Sequence, residues 1–235
     1  MTPKSVTIVL PTYNERENIR ELVLGILGSV RAEVEVIVVD DDSEDLTWKV
    51  VEEMDLPSVR AIRRVGEKGL TSAIMRGITE SRFDAVVWMD ADLSMPPGKI
   101  NDLLSTLESH DIAVGSRYVS GGRDLGDTRT AAFMSRLLGL ITKTALNIPV
   151  NDLNSGFIAT RKKVVAELGL RGDYGEYCLD FLYRSYKKGY RIAEVPYVCV
   201  PRARGESKTA TSLFGFFFRG RKYIYSILKL RLART

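Results

Sequence analysis

Ala85-Val86-Val87-Trp88-Met89-Asp90-Ala91-Asp92-Leu93-Ser94-Met95-Pro96-Pro97 runs five apolar residues straight into an acidic triplet and stops at a double proline. The apolar run is short, rich in β-favouring residues and without alternation, as a strand covered on both faces reads. Parallel sheets bind ligands beyond the carboxyl ends of their strands. If the extended backbone continues past Met89, the period of two puts Asp90 and Asp92 on one side, with Ala91 between them small enough to let a ligand approach. Two neighbouring carboxylates repel. A hard divalent cation, Mg²⁺ or Mn²⁺, itself bridging phosphate oxygens of a substrate, is the natural partner. The alternative is a solvated turn or a helix cap.

The flanking sequence repeats the theme. Val34 to Val39 is an apolar strand that runs into Asp40-Asp41-Asp42-Ser43. Before it, Ser5 to Leu10 reads as the first strand, Pro11-Thr12-Tyr13-Asn14-Glu15 as a loop, and Glu17 to Leu27 as a helix with Ile19, Leu22, Val23 and Ile26 on one face. Arg60 to Arg63 is a short third strand, and Glu67-Lys68-Gly69-Leu70 leads into a helix ending near Ser81. Pro96 and Pro97 suit the first turn of the next helix, and Ile112 to Val114 is a fifth strand ending in Gly115-Ser116-Arg117-Tyr118. Strand alternating with helix predicts an α/β domain with a doubly wound, mainly parallel sheet flanked by helices.

The pattern changes after Gly121-Gly122. Residues 129–147 are expected to be helical, with Phe133, Leu137, Leu140, Ile141, Ala145 and Leu146 among Arg129, Arg136 and Lys143. Asn151 to Phe157 is a polar loop entering a short strand, Tyr177 to Lys188 a helix, Tyr190 to Val195 a strand, and Pro201 to Lys208 a basic loop. From Ser212, Leu213, Phe217, Ile224 and Leu228 share one helical face, with cations at Arg219, Arg221, Lys222, Lys229 and Arg231; Gly215 and Gly220 weaken that helix.

At 235 residues and 45% hydrophobic content the chain can bury the core of one large domain. Two cysteines, Cys178 and Cys199, suggest neither a disulfide framework nor a cysteine zinc site, which fits a reducing compartment. Val6 to Leu10 is too short for a signal peptide, and no stretch approaches the ~20 apolar residues that span a bilayer. The net charge of +4 hides an asymmetry: from Pro201 onward nine Lys or Arg face one Glu, a balance of +8 that leaves −4 for residues 1–200. The basic tail interleaves Phe, Tyr, Ile and Leu, which points to a membrane surface or a partner helix; a solvated terminal helix is the plain alternative. Nucleic-acid binding ranks last for want of a recognisable motif.

Taken together, Leu10-Pro11-Thr12-Tyr13-Asn14-Glu15, Val39-Asp40-Asp41, Lys68-Gly69-Leu70, Met89-Asp90-Ala91-Asp92-Leu93-Ser94, Gly115-Ser116-Arg117-Tyr118 with Gly121-Gly122, Ser155-Gly156-Phe157, and Arg202 with Gly205-Glu206-Ser207-Lys208 resemble the polyprenol (dolichol) phosphate mannosyltransferases of the inverting glycosyltransferase family 2. The motifs come in family order across residues 6–208. The resemblance implies a single GT-A-type, Rossmann-like domain over residues 1–208, followed by a basic amphipathic segment, 209–235, ending the chain as a helix. It implies transfer of mannose from GDP-mannose to a polyprenyl phosphate with inversion. Pro11, Tyr13 and Glu15, with Val39 and Asp41, would hold base and ribose, and Lys68 would lie near the nucleotide. Asp90 and Asp92, with Ala91 between them, would bind Mg²⁺ or Mn²⁺ on the donor diphosphate. Arg117, Arg202 and Lys208 would gather phosphates, making Asp92, Arg117 and Arg202 the catalytic candidates, with Ser135 and Arg129 further candidates for the lipid phosphate. The plain alternatives are that Tyr13 packs, that Asp40 and Asp42 cap the following helix, and that the cations are solvated.

An inverting transfer normally needs a base, yet the chain has one histidine, His110, far from the motifs. A polyprenyl phosphate is already anionic, so positioning and charge neutralisation suffice. The sequence departs from the family pattern at Asp42, where a glycine is usual, at Thr71, at Leu93, whose side chain cannot ligate a metal, and at Asp180, where a glutamate is usual. Family members often carry C-terminal transmembrane helices. Here the expectation is peripheral attachment at the cytoplasmic face of a membrane through 129–147 and 212–232, or docking on a separate membrane-anchoring subunit. The competing readings are glucose transfer from UDP-glucose to the same acceptor class, a non-lipid acceptor, and a non-catalytic nucleotide-sugar or lipid-phosphate binding module.

Overall fold

The structure is a computed structural model that describes residues 1–126, 139–172, 175–204, 227, 230 and 231. β1 (Ser5–Thr12) is followed by α1 (Arg16–Ser29), β2 (Glu33–Asp40), α2 (Thr47–Glu52), β3 (Val59–Arg63), α3 (Leu70–Glu80) and β4 (Ala85–Trp88). A 3₁₀ turn at Pro97–Lys99 opens α4 (Ile100–Thr106), which leads to β5 (Ile112–Ser116) and the two-residue β6 (Arg123–Asp124). After the helical residues 139–146 come β7 (Ile158–Arg161), α5 (Lys162–Leu168), α6 (Glu176–Lys187), β8 (Ile192–Pro196) and β9 (Val198–Cys199).

The sheet order is β3-β2-β1-β4-β7-β5-β8, parallel except for β7, which runs antiparallel to both β4 and β5. The chain thus moves outward from β1 to β3, then returns through α3 to β1's other side as β4. The space beyond the carboxyl ends of β1 and β4 is therefore a topological switch point, where sheets of this kind open a crevice.

Side chains on alternate strand positions build two cores, one on each face. Val9, Val39, Val86 and Trp88 pack with α3 and α6, while Ile8, Leu10, Val38, Val87 and Met89 pack with α1 and α4. The four α1 residues read from the sequence as one face are all fully buried. This double covering is why the strands read as unbroken apolar runs. α3 lies so close to the sheet that a Cβ on Gly77 would fall 2.4 Å from Val9 Cγ1, so only glycine permits that approach.

Strand boundaries differ from the sequence reading by one or two residues at several strands, and the differences at β1 and β4 bear on the cavity. β1 continues through Pro11 to Thr12, pairing Pro11 with Val39. Proline is tolerated there because β4 pairs with β1 only as far as Val9, and its missing N–H leaves no gap in a ladder. β4 ends at Trp88, one residue earlier than expected, and Leu93 takes a left-handed conformation (φ 65°). The acidic triplet therefore lies on a turn and not on an extended strand. Of the expected basic amphipathic segments, 129–138 and nearly all of 209–235 lie outside the described residues.

Candidate functional site

A cavity of about 580 Å³ opens at the switch point, within the size of small-molecule sites. Pro11, Thr12, Tyr13 and Glu15 line it from the end of β1, Asp41 from β2, and Asp90, Ala91, Asp92 and Ser94 from the turn after β4. Asn154 and Gly156 come from the loop before β7, and Tyr177 and Cys178 from α6. Leu70 and Ala73 of α3 and Arg117 after β5 also line it, and the β6–β9 ribbon with its extension contributes Asp124, Cys199, Val200 and Arg202.

Asp90 and Asp92 reach the cavity together through the turn. Asp92 Oδ1 accepts the Ser94 N–H at 3.0 Å, which closes an Asx turn around the left-handed Leu93. Asp90 is exposed and lines the cavity, and among the described residues it has no hydrogen-bond partner. Surrounding protein, then the neighbouring Asp92 charge, pushes its pKa up from 3.8 to about 6, against the opposing pull of Arg117 and Arg202. A Cβ on Gly156 would stand 3.3 Å from Asp90 Oδ1, so this loop glycine leaves the carboxylate its room.

Other acidic groups are already matched. Asp40 is fully buried and accepts from Thr12 Oγ1 and Ser43 Oγ, both at 2.7 Å, and from the Ser43 N–H at 2.8 Å; it holds the two strand ends together. Asp41 lines the cavity but is paired with Arg64 and accepts the Gly69 N–H at 2.7 Å. Arg64, 4% exposed, also donates to the Gly69 carbonyl, which binds the start of α3 to the end of β2. Asp42 pairs with Arg63 at 2.6 Å and sits at φ 56°, so the position where the family pattern has glycine does need a left-handed residue, which aspartate can supply.

Arg117 reaches the cavity from the end of β5 with its guanidinium engaged. Nε and one terminal nitrogen donate to Asp152 at 2.9 Å each, and the other terminal nitrogen donates to Asp124 at 3.1 Å. Burial alone would lower the Arg117 pKa, but the Asp152 hydrogen bonds and charge hold it well above the usual value. Asp152 is in turn positioned by Glu194 on β8, which accepts its N–H at 2.9 Å. Arg202 bridges the two sides of the cavity, donating to both Glu15 oxygens at 2.9 Å and lying 3.4 Å from Asp92 Oδ2.

Several expected site residues stand elsewhere. Val39 is fully buried in the core, because the even alternation of β2 turns its side chain toward α3. Lys68 stands over the Tyr13 ring, 4.7 Å from its centroid, and is not among the lining residues. Asp180 pairs with Arg184, which anchors the end of α5 through the Gly169 carbonyl at 2.8 Å. His110 contacts Ser109 at the end of α4 and does not line the cavity. Lys208, Arg129 and Ser135 lie outside the described residues. Burial pushes up both thiols, Cys199 to about 11, so neither is a nucleophile at neutral pH. Sequence reading missed Arg64, Asp152, Asp124 and Glu194, which belong to no motif and are recognisable only as partners.

Among the described residues five carboxylates line the cavity, Glu15, Asp41, Asp90, Asp92 and Asp124, against two guanidinium groups, Arg117 and Arg202. A diphosphate entering such a cavity needs further positive charge. The acidic pair fits a hard divalent cation on its own chemistry: two neighbouring carboxylates line the cavity, and among the described residues Asp90 has no hydrogen-bond partner. The described residues offer no group of three His, Cys, Asp or Glu suited to a metal, so such an ion would complete its shell from phosphate oxygens and water.

A mostly parallel sheet of this order, with acidic strand ends gathered around one cavity, is the GT-A-like α/β fold. The chain belongs to glycosyl transferase family 2, whose model matches residues 7–169. It is 38% identical over 233 residues to a dolichol-phosphate mannosyltransferase of Pyrococcus furiosus, covering 95% of this chain and 64% of that protein. It is 33% identical over 219 residues to an undecaprenyl-phosphate mannosyltransferase of Micrococcus luteus, covering 89% of each. A polyprenol monophosphomannose synthase of Mycolicibacterium smegmatis is 31% identical over 215 residues, covering 87% of this chain and 81% of that one. Among solved structures, glucosyl-3-phosphoglycerate synthase from Mycobacterium tuberculosis, in complex with Mn²⁺, UDP and phosphoglyceric acid, superposes with a TM-score of 0.74 over 99% of this chain and 80% of that one. At 19% identity this likeness concerns the fold alone.

Proposed function

We propose that this chain transfers a mannosyl group from GDP-mannose to a polyprenyl (dolichyl) phosphate, with inversion, using Mg²⁺ or Mn²⁺, at the cytoplasmic face of a membrane. The observation that carries the reading is the Asp90–Asp92 pair at the floor of a cavity whose described charges are in acidic excess. The names of three relatives at 31–38% identity supply the acceptor class and the sugar.

Base and ribose would lie against Pro11, Tyr13 and Glu15, with Lys68 stacked on Tyr13 at the rim. Asp90 and Asp92 would hold the divalent cation, which stabilises the diphosphate as a leaving group when bound. Arg202, with Lys208 following it in sequence, would meet the donor phosphates. Arg117, spent largely on Asp152 and Asp124, would shape the acceptor side more than bind anions directly. The acceptor phosphate brings its own negative charge as nucleophile, so no side chain here needs to take a proton. Residues 1–208 would form the catalytic domain, and 209–235, with the helix around 139–146, would meet the membrane or a membrane-anchoring subunit.

Incubation with radiolabelled GDP-mannose and a short polyprenyl phosphate tests this. Label in the lipid phase, abolished by chelator and by Asp92→Ala, is expected. Label transferred only from UDP-glucose would overturn the donor assignment, and donor binding without transfer would overturn catalysis.

A further inference from the structure

Residues 200–204 run along the cavity as a strap, with Val200 and Arg202 lining it. The Val200 N–H donates to the Ser94 carbonyl at 3.1 Å and the Ala203 N–H to the Asp92 carbonyl at 3.2 Å, while Asn18 Nδ2 donates to the Arg204 carbonyl at 3.1 Å. The strap is thus tied at one end to the acidic turn and at the other to the first turns of α1. Arg202 projects from its middle into the gap between Glu15 and Asp92.

The two contacts are unequal. One terminal nitrogen lies 2.9 Å from each Glu15 oxygen, whereas the other lies 3.4 Å from Asp92 Oδ2 without a hydrogen bond. Asn18 Nδ2 donates to Glu15 Oε2 at 3.0 Å and fixes that carboxylate. Side-chain exposures of 8% for Glu15, 16% for Asp92 and 22% for Arg202 leave little water to screen the bridge. The guanidinium is therefore seated by Glu15 and leans on Asp92, and its charge also reaches Asp90.

We propose that Arg202 is the built-in counter-ion of the Asp90–Asp92 pair and that Glu15 is the positioning residue that seats it. In the free protein Arg202 holds Asp92 against a divalent cation; when a nucleoside diphosphate arrives, Arg202 turns to its phosphates and yields Asp92. Cation and nucleotide then bind with positive coupling that runs partly through one side chain. This inference rests on reading the cavity as the donor site.

The test is Mn²⁺ binding to the full chain, read from the electron paramagnetic resonance of free Mn²⁺, with and without GDP. Arg202→Gln is expected to bind Mn²⁺ about tenfold more tightly than wild type without nucleotide, and to gain less from GDP. Glu15→Gln is expected to bind it more weakly, because the guanidinium loses one of two carboxylates and settles on Asp92. Arg204→Gln removes the same charge from the same strap, but Arg204 faces Glu17 and Glu21, so its Mn²⁺ affinity should match wild type. If Arg202→Gln does not fold, Arg202→Lys, with its shorter reach, should show the same tightening on a smaller scale. Unchanged affinity in the Arg202 variants, or equal tightening in Arg204→Gln, would overturn the inference. Failure of every protein to bind Mn²⁺ even with GDP would overturn the donor-site reading and this inference with it.

Discussion

Asp90 lines the cavity at a cost to the fold. Its raised pKa means that the native state binds more protons than the unfolded chain between pH 3.8 and about 6. Stability therefore falls as pH rises through that window, and the cost is fully present at pH 7. Asp90→Asn removes it. Without metal the variant should be more stable than wild type at pH 7 by about 1 kcal/mol, discounted for the water that reaches the carboxylate. The two melting temperatures should converge below pH 4, while transfer activity is lost. In wild type the affinity for a divalent cation should fall as pH drops below about 6, because the proton and the cation compete for the same oxygens. A variant no more stable than wild type at pH 7 would show that Asp90 ionises without cost.

At the scale of elements, the acidic turn is only as well placed as the strand beneath it. β4 is locked to α6 by the Trp88 indole N–H, which donates to Tyr177 Oη at 3.0 Å, and by the edge-to-face packing of Trp88 on Phe181 at 5.9 Å. All three rings are buried, and Tyr177 also lines the cavity. Trp88→Phe keeps an aromatic ring but leaves the Tyr177 hydroxyl without its donor. The expected loss is about 2 kcal/mol of unfolding free energy by urea denaturation, with little change in slope. A loss within a few tenths of a kcal/mol would mean that the phenol finds another partner, and that packing alone ties the helix to the strand.

Across the whole molecule, charge is divided between an acidic cavity and a basic carboxyl-terminal part of the chain. No helix among the described residues is long and apolar enough to cross a membrane. The helical residues 139–146 do expose Leu140 and Ile141, at 61% and 53%, while Lys143 on the same helix is tied to Asn151 at 2.6 Å. Exposed apolar side chains in a chain whose carboxyl-terminal part is basic suit the interface of an anionic bilayer. Flotation with anionic liposomes should therefore recover the full chain, and recovery should drop by at least severalfold without residues 209–235 or at high salt. Equal recovery of the shortened chain would remove the tail from membrane attachment.

The strand ends carrying acid, the helix faces and the order of the motifs were legible in the sequence, because they depend on neighbours a few positions apart: apolar runs of four to eight residues, periods of two and 3.6, prolines at helix starts. Local pattern was enough for the alternating α/β architecture and for placing Asp90 and Asp92 together just beyond the end of β4, where both line the cavity. It could not tell that β7 enters the sheet antiparallel between β4 and β5, nor that Val39 faces the core while Pro11 lines the cavity. Nor could it show that Arg64 neutralises Asp41, that Asp152 and Asp124 occupy Arg117, or that Arg202 reaches 187 positions back to Glu15. Those pairings join residues from 7 to 187 positions apart and follow no local period, and an isolated arginine or aspartate reads the same whether it is solvated, paired or waiting for a ligand. Only the folded chain decides which charges meet, because the free energy of a charge depends on the water it has lost and the partner it has gained.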